Sequence, residues 1–434
     1  MGIRSEKQVV FVAAAIILSA CGVGEPQIDQ ADVERIITAL AADEMQGRRA
    51  FEPGADAAAE FLSGEFAAIE LEPFAGADGY LQRFPVYSLR VDRCSVTING
   101  VELSEEDLAC SVGGSSIHWS TGDATQVVIV GPDDDPMQAF GSVRRARADT
   151  LVLMNPEHEQ IFQRLRGFPA GGARSLDPEG RPSTILALID APAANSYEID
   201  VTASTEESGL ANVVGVIPGR RSEEIVLFAA HYDHIGLRDA VDGDVIANGA
   251  NDDASGTTAV VELARYFKAK GRPERTLMFV AFTAEEMGGY GSRYLSEQID
   301  PDEIVAMFNI EMIGKVSAEG PHSAWITGFE RSDFGEILQR AAEGTEYAFY
   351  ADPYPDQNLF YRSDNATLAR LGVPAHSIST TQIDIDPDYH QVSDEVGTLD
   401  LEHLTDTIRA IALGASTIVA GTATPTRVDP ATVR

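Results

Sequence analysis

The chain has 434 residues, 44% of them hydrophobic, which fits a globular protein long enough for more than one domain. Its 32 Lys and Arg against 68 Asp and Glu leave a net charge of −36. A surface so acidic repels phosphate backbones and anionic lipid, which argues against a nucleic-acid partner and leaves the fold undecided.

Arg4 and Lys7 precede an apolar run from Val9 to Leu18. This is the layout of an export signal, and it is shorter than the roughly 20 apolar residues needed to cross a bilayer. Leu18-Ser19-Ala20-Cys21-Gly22 then resembles a bacterial lipobox. The expectation is removal of residues 1–20, a lipid on Cys21 as the only membrane contact, and an exported protein anchored to the cell envelope. Residues 21–30 read as a tether. Val33, Ile36, Ile37 and Leu40 share one helical face, and Ala57 to Leu71 repeats that spacing with Leu62, Phe66 and Ile69.

Between residues 86 and 205 the texture changes to short β-type runs at 95–98, 126–130, 150–154 and 184–188. Clusters such as Gly131-Pro132-Asp133-Asp134-Asp135-Pro136 separate them, so an inserted β-rich domain is expected here. Cys94 and Cys110 fall in this region, either bonded in an oxidising compartment or buried as two thiols. No Cys-x-x-Cys spacing points to a cysteine-based metal or redox site.

From Ala211 strands and helices alternate. Ile225 to Ala230 and Thr276 to Phe282 are unbroken apolar runs, suited to strands buried on both faces. Ala254 to Lys270 is helical and stops at Gly271; Tyr290 to Gln298, Phe334 to Ala342 and Ala366 to Leu371 are further helices. Ile304 to Ile310, Ala324 to Thr327 and Pro374 to Ile378 read as strands, and Leu401, Leu404, Ile408 and Ile411 mark a last amphipathic helix. The expected fold class is α/β, a mostly parallel central sheet flanked by helices. Such sheets bind ligands beyond the C-terminal ends of their strands.

Acids and histidines recur at those ends. His231-Tyr232-Asp233-His234 follows the first buried run, Glu285-Glu286 the second and Glu311 the third, with Gly249 to Gly256 between and Asp388-Tyr389-His390 late in the chain. Singly, each has an ordinary reading: a polar strand cap, a solvated helix start, or, for Asp252, a helix N-cap. Together, neutral imidazoles and carboxylates are good donors for zinc and similar cations.

The order of these motifs resembles the M28 family of zinc peptidases, well over about 205–420 and more weakly over 30–85, where Met45-Gln46-Gly47-Arg48-Arg49 looks like a lead-in. The resemblance implies residues 31–85 and 206–425 as the catalytic domain, with 86–205 as a PA-like insertion. It implies two zinc ions: His231 and Glu311 on one, His390 and Glu286 on the other, Asp252 bridging. Asp233 would orient His231 through the far ring nitrogen, and Glu285 would be general base to a water between the metals. The implied activity is removal of N-terminal residues from peptides. Two departures are visible. Glu311 stands where the family has Asp, leaving the geometry or metal preference of the first site open, and Asp253 replaces Asn. Tyr361 and Arg362 are weaker candidates for transition-state contacts. A glutaminyl-cyclase-like enzyme with one zinc, or a non-catalytic binding module, would share the fold.

Overall fold

The computed structural model describes residues 26–433, apart from 125, 168–172 and 180. The export-signal and Cys21 expectations lie outside the described residues. Helix α1 (Gln30–Leu40) starts where Asp29 accepts a hydrogen bond from Ala31 N–H, and it buries Val33, Ile36, Ile37 and Leu40. Helix α2 (Pro53–Ala68) opens on Pro53, whose missing N–H costs nothing in a first turn, and buries Leu62 and Phe66.

The middle of the chain runs through β1 (Leu81–Ile98), β2 (Leu108–Ser111), β3 (Gln126–Val130), α3 (Pro136–Ala146), β4 (Thr150–Met154), α4 (Glu159–Gly167), β5 (Thr184–Leu188) and β6 (Tyr197–Ile217). β1 and β6 form one long antiparallel ribbon, registered from Leu81 opposite Val213 to Ile98 opposite Tyr197. The sequence boundaries at 85/86 and 205/206 therefore fall inside a continuous ladder, with no linker at either point. A second sheet, in order β2-β5-β4-β3, sits at the far end of the ribbon. There β3, β4 and β5 are parallel with α3 and α4 between them, so the β-rich region expected from the sequence also contains a small α/β unit. The Asp-Pro cluster read as a separator is in fact a helix start: Asp135 accepts from Met137 and Gln138 N–H, with Pro136 in the first turn. A Cys94–Cys110 disulfide joins β1 to β2.

The remaining elements are β7 (Arg221–His231), α5 (Gly256–Ala269), β8 (Arg275–Phe282), α6 (Tyr290–Ser296), β9 (Ile304–Ile310), β10 (Ser323–Ile326), α7 (Phe334–Ala342), β11 (Ala348–Ala351), α8 (Asn365–Ala369), β12 (Ala375–Ser379) and α9 (Leu401–Gly414). The main sheet has the order β11-β10-β12-β9-β7-β8-β6-β1. Its four inner strands, β12, β9, β7 and β8, are parallel, while β10 and β6 join them antiparallel. The mostly parallel centre is as the sequence suggested, with mixed edges.

Phe228 of β7 stacks on Phe279 and Phe308 of its two neighbours, at 5.4 and 4.9 Å, and α1, α2, α5, α7 and α9 cover that face. Leu295, Leu368 and Ala369 of α6 and α8 cover the other. The apolar runs 225–230 of β7 and 277–282 of β8 leave their polar chemistry to the ends of the strands, and that places the site.

Candidate metal centre

His231 is the last residue of β7, Glu285 and Glu286 follow β8, and Glu311 follows β9. Asp252 lies in the irregular turn before α5, and His390 in the loop after β12. The fold brings all of them together. His231 Nε2 lies 3.3 Å from Asp252 Oδ1 and 3.5 Å from Glu311 Oε2. His390 Nε2 lies 3.2 Å from Asp252 Oδ2 and 3.2 Å from Glu286 Oε1. The two oxygens of Asp252 thus face two different donor groups.

Asp252 is not a helix cap. Its backbone is extended, and Asp253 Oδ1 accepts from Gly256 N–H instead, at 3.1 Å, and from Met312 N–H at 3.0 Å. Asp394 holds Asp252 in place, with its two oxygens accepting from Asn251 and Asp252 N–H at 2.9 and 3.0 Å.

Asp233 departs from its expected role. The acceptor nearest His231 Nδ1 is the Asp233 backbone carbonyl at 3.0 Å; the carboxylate is 3.8 Å away. The turn after β7 puts the main chain, not the side chain, beside the ring. Asp233 Oδ1 accepts from Glu285 N–H at 3.0 Å instead, so this carboxylate positions Glu285.

Glu311 reaches the site with its longer arm pinned. Its Oε1 accepts from Asn309 Nδ2 at 3.1 Å and from the Ser363 hydroxyl, which leaves Oε2 toward His231. Arg362 lines the cavity over the site, whereas the Tyr361 hydroxyl turns away to Arg331 at 2.8 Å. Met312, Trp325, Leu359, Ile383 and Tyr389 form the cavity's apolar wall, and the Tyr389 ring stacks on His390 at 4.0 Å.

Several contributors were not singled out from sequence. Buried Arg48 donates to Tyr232 O at 2.7 Å, Leu40 O at 2.7 Å, Asn248 O at 2.5 Å and Gly249 O at 2.8 Å, tying the backbone beside His231 to that before Asp252. Lys315 pairs with Asp386 and Asp388 at 2.5 and 2.8 Å, latching the loop that carries His390. His234 Nδ1 lies 2.9 Å from Glu286 Oε1. Its only signal was its place in the His231–His234 run.

Electrostatically the cluster is crowded. Burial, with the charges of Asp364, Glu311 and Glu286 adding to it, pushes the Glu285 carboxyl well above its usual range against the pull of His231. Burial likewise raises Asp233 and Asp364 to about 7. Asp252 goes the other way: burial opposes its charge, but the imidazoles of His231 and His390 hold it well below the usual carboxylate range. A cluster of buried acids with nearby imidazoles favours a divalent cation. Tetrahedral zinc with donors at 2.0–2.1 Å spaces them about 3.3 Å apart. The donor separations of 3.2 to 3.5 Å around Asp252 fit that ion.

Residues 212–414 match the profile of Peptidase family M28. A probable zinc metalloprotease of Leptosphaeria maculans is 34% identical over 182 residues, 39% of this chain and 40% of its own length. Leucine aminopeptidase 1 of Trichophyton rubrum is 26% identical over 237 residues, 52% of this chain and 63% of its own. The match thus spans less than two thirds of each of these relatives. Among solved structures, a zinc aminopeptidase from Bacillus subtilis superposes with TM-score 0.55 at 18% identity, covering 91% of this chain and 96% of that one. An aminopeptidase from Aneurinibacillus sp. strain AM-1 gives 0.52 at 17%, covering 94% and 96%. At those identities the structures speak for the fold. The sequence match, the fold and the ordered donor motifs agree on Peptidase family M28 over residues 212–414.

Proposed function

We propose that this protein is a zinc-dependent aminopeptidase holding two metal ions. His231, Glu311 and Asp252 would hold one ion, and His390, Glu286 and Asp252 the other. The observation that carries this reading is Asp252, whose two oxygens face separate imidazole–carboxylate pairs. When bound, such a metal pair supplies Lewis acidity toward a scissile carbonyl and toward water.

The protein's own groups do the rest. Glu285, in the cavity wall beside both pairs, takes a proton from the attacking water and delivers it to the leaving amine. Asp233 fixes the backbone from which Glu285 projects. Asn309 and Ser363 leave only one oxygen of Glu311 free to ligate. The apolar wall of Met312, Trp325, Leu359 and Ile383 receives an uncharged side chain of a peptide substrate. The surrounding carboxylates attract a free ammonium group, which is why an amino terminus is the expected end. A cyclase-like enzyme with one zinc would not need the intact His231–Asp252–Glu311 group.

We propose further that the protein is exported and held to the bacterial envelope by a lipid on Cys21. The Cys94–Cys110 disulfide supports an oxidising compartment. Mass spectrometry of the mature N-terminus tests this: an acylated Cys21 is expected, and an unmodified chain that keeps residues 1–20 would contradict it.

The activity is tested with one peptide in two forms, free and N-acetylated. Release of the first residue from the free form alone, abolished by a chelator, is expected. Equal cleavage of both forms, or cleavage indifferent to the chelator, would overturn the reading. Glu285→Gln, at equal metal content, should lower kcat by about 10²-fold or more.

A further inference from the structure

We infer that His234 is a third imidazole donor of the metal centre, ligating through Nδ1 the same cation as Asp252, Glu286 and His390. This rests on the metal-dependent reading above. His234 is 1% exposed and sits three residues after the end of β7. Its backbone is fixed: its N–H donates to Arg48 O at 3.2 Å, in a bridge between Arg49 and His234. Its ring lies edge-on to the His390 ring, with centroids 5.6 Å apart, so the two imidazoles converge on the same carboxylates.

The ring touches Glu286 without an aligned hydrogen bond. Neither His234 nitrogen has a hydrogen-bond partner among the described residues, and neither does Glu286 Oε1. Yet His234 Nδ1 and Glu286 Oε1 are only 2.9 Å apart. At that distance a hydrogen bond forms unless the two groups are aimed elsewhere. Two unaligned donors in contact are what a shared third centre produces. The spacings suit one: Nδ1 to Asp252 Oδ2 is 3.9 Å, so the separations to the two carboxylates bracket the roughly 3.3 Å of neighbouring donors on tetrahedral zinc. Burying an imidazole with both nitrogens unmet is costly, and a cation removes half of that cost.

Room for the ring is built in from the opposite side. A Cβ on Gly249 would lie 2.5 Å from His234 Cγ and Cδ2, and Gly249 itself has φ +58°. Glycine there satisfies both the left-handed backbone and the imidazole's space. The two metal sites then differ. His231, Asp252 and Glu311 provide three donors and leave a position open for reactants. His234, His390, Asp252 and Glu286 provide four.

The test needs no variant at first. X-ray absorption at the zinc edge, on the full chain loaded with zinc, should show three imidazoles shared by two ions. Calorimetric titration of zinc into the chelated protein should show one ion bound more tightly than the other. In His234→Leu, the tighter affinity should fall at least 10-fold, with the weaker one little changed. Two zinc ions with two imidazoles between them, or unaltered affinities in His234→Leu beside a lowered Tm of the metal-free protein, would overturn the assignment of His234 and leave the two-metal reading standing. Failure of the wild-type chain to bind zinc would overturn both.

Discussion

Replacing Arg48 by Met should unmake the site without touching any donor. Met keeps much of the aliphatic volume and removes the guanidinium, which donates to four backbone carbonyls from a fully buried position. Gly249 O also accepts from Ala254 N–H at 3.2 Å, so three carbonyls, of Leu40, Tyr232 and Asn248, lose the donor the fold gives them. A buried acceptor left unmet costs about 1–3 kcal/mol, so the three together cost about 5 kcal/mol. That is comparable to the whole stability of many domains. The loss also removes a positive charge facing Asp394, Asp252, Asp233 and Asp253, which crowds those carboxylates further. Denaturant unfolding of metal-free wild type, Arg48→Met and Arg48→Lys would measure it. Lys keeps the charge and some of the bonds and should fall between the other two. A change below about 1 kcal/mol for Arg48→Met would refute the reasoning, because it would mean that water or relaxation satisfies those carbonyls.

Lys315→Met should release the His390 loop: it leaves the half-buried Asp386 and Asp388 without their cation, at a cost of about 2 kcal/mol, and should weaken zinc binding at one site while sparing the other. Calorimetric zinc titration checks this, and equal loss at both sites would contradict it. His376 is held neutral, its Nδ1–H donating to Thr327 O at 2.8 Å and its Nε2 accepting from the Ser332 hydroxyl at 2.7 Å. Burial lowers its pKa from 6.5 to about 4, so the unfolded chain takes the proton first. Stability from this residue is therefore complete above about pH 6.5 and declines as pH falls toward 4, by about 3 kcal/mol in all. His376→Gln should show a shallower loss of stability across that window, and parallel curves would count against the assignment.

The inner sheet was legible because strands buried on both faces read as unbroken apolar runs, as in Ile225 to Ala230 and Thr276 to Phe282. The residues meeting around Asp252 were legible for a related reason, since charge that follows such a run must lie at its end. The ribbon of β1 and β6 was not. Its solvated stretch, Thr202 to Ser208, alternates weakly and gives no period to read, because cross-strand pairing rather than burial holds it. Helix α3 was hidden by its own start signal, in which Asp135 and Pro136 serve a cap as readily as a turn. Arg48 was out of reach because its partners are backbone carbonyls up to 201 residues away, and carbonyls carry no side-chain signature. The resemblance gave Asp233 its contact with His231 through the carboxylate, and the fold makes that contact with the carbonyl of the same residue.

The central claim is a hydrolase that needs two metal ions shared through Asp252. Zinc should be titrated into the chelated full chain while release of the N-terminal residue from an unblocked peptide is followed. The account predicts a rate that plateaus at two equivalents of zinc per chain. A plateau at one equivalent, or no hydrolysis at any zinc concentration, would contradict it.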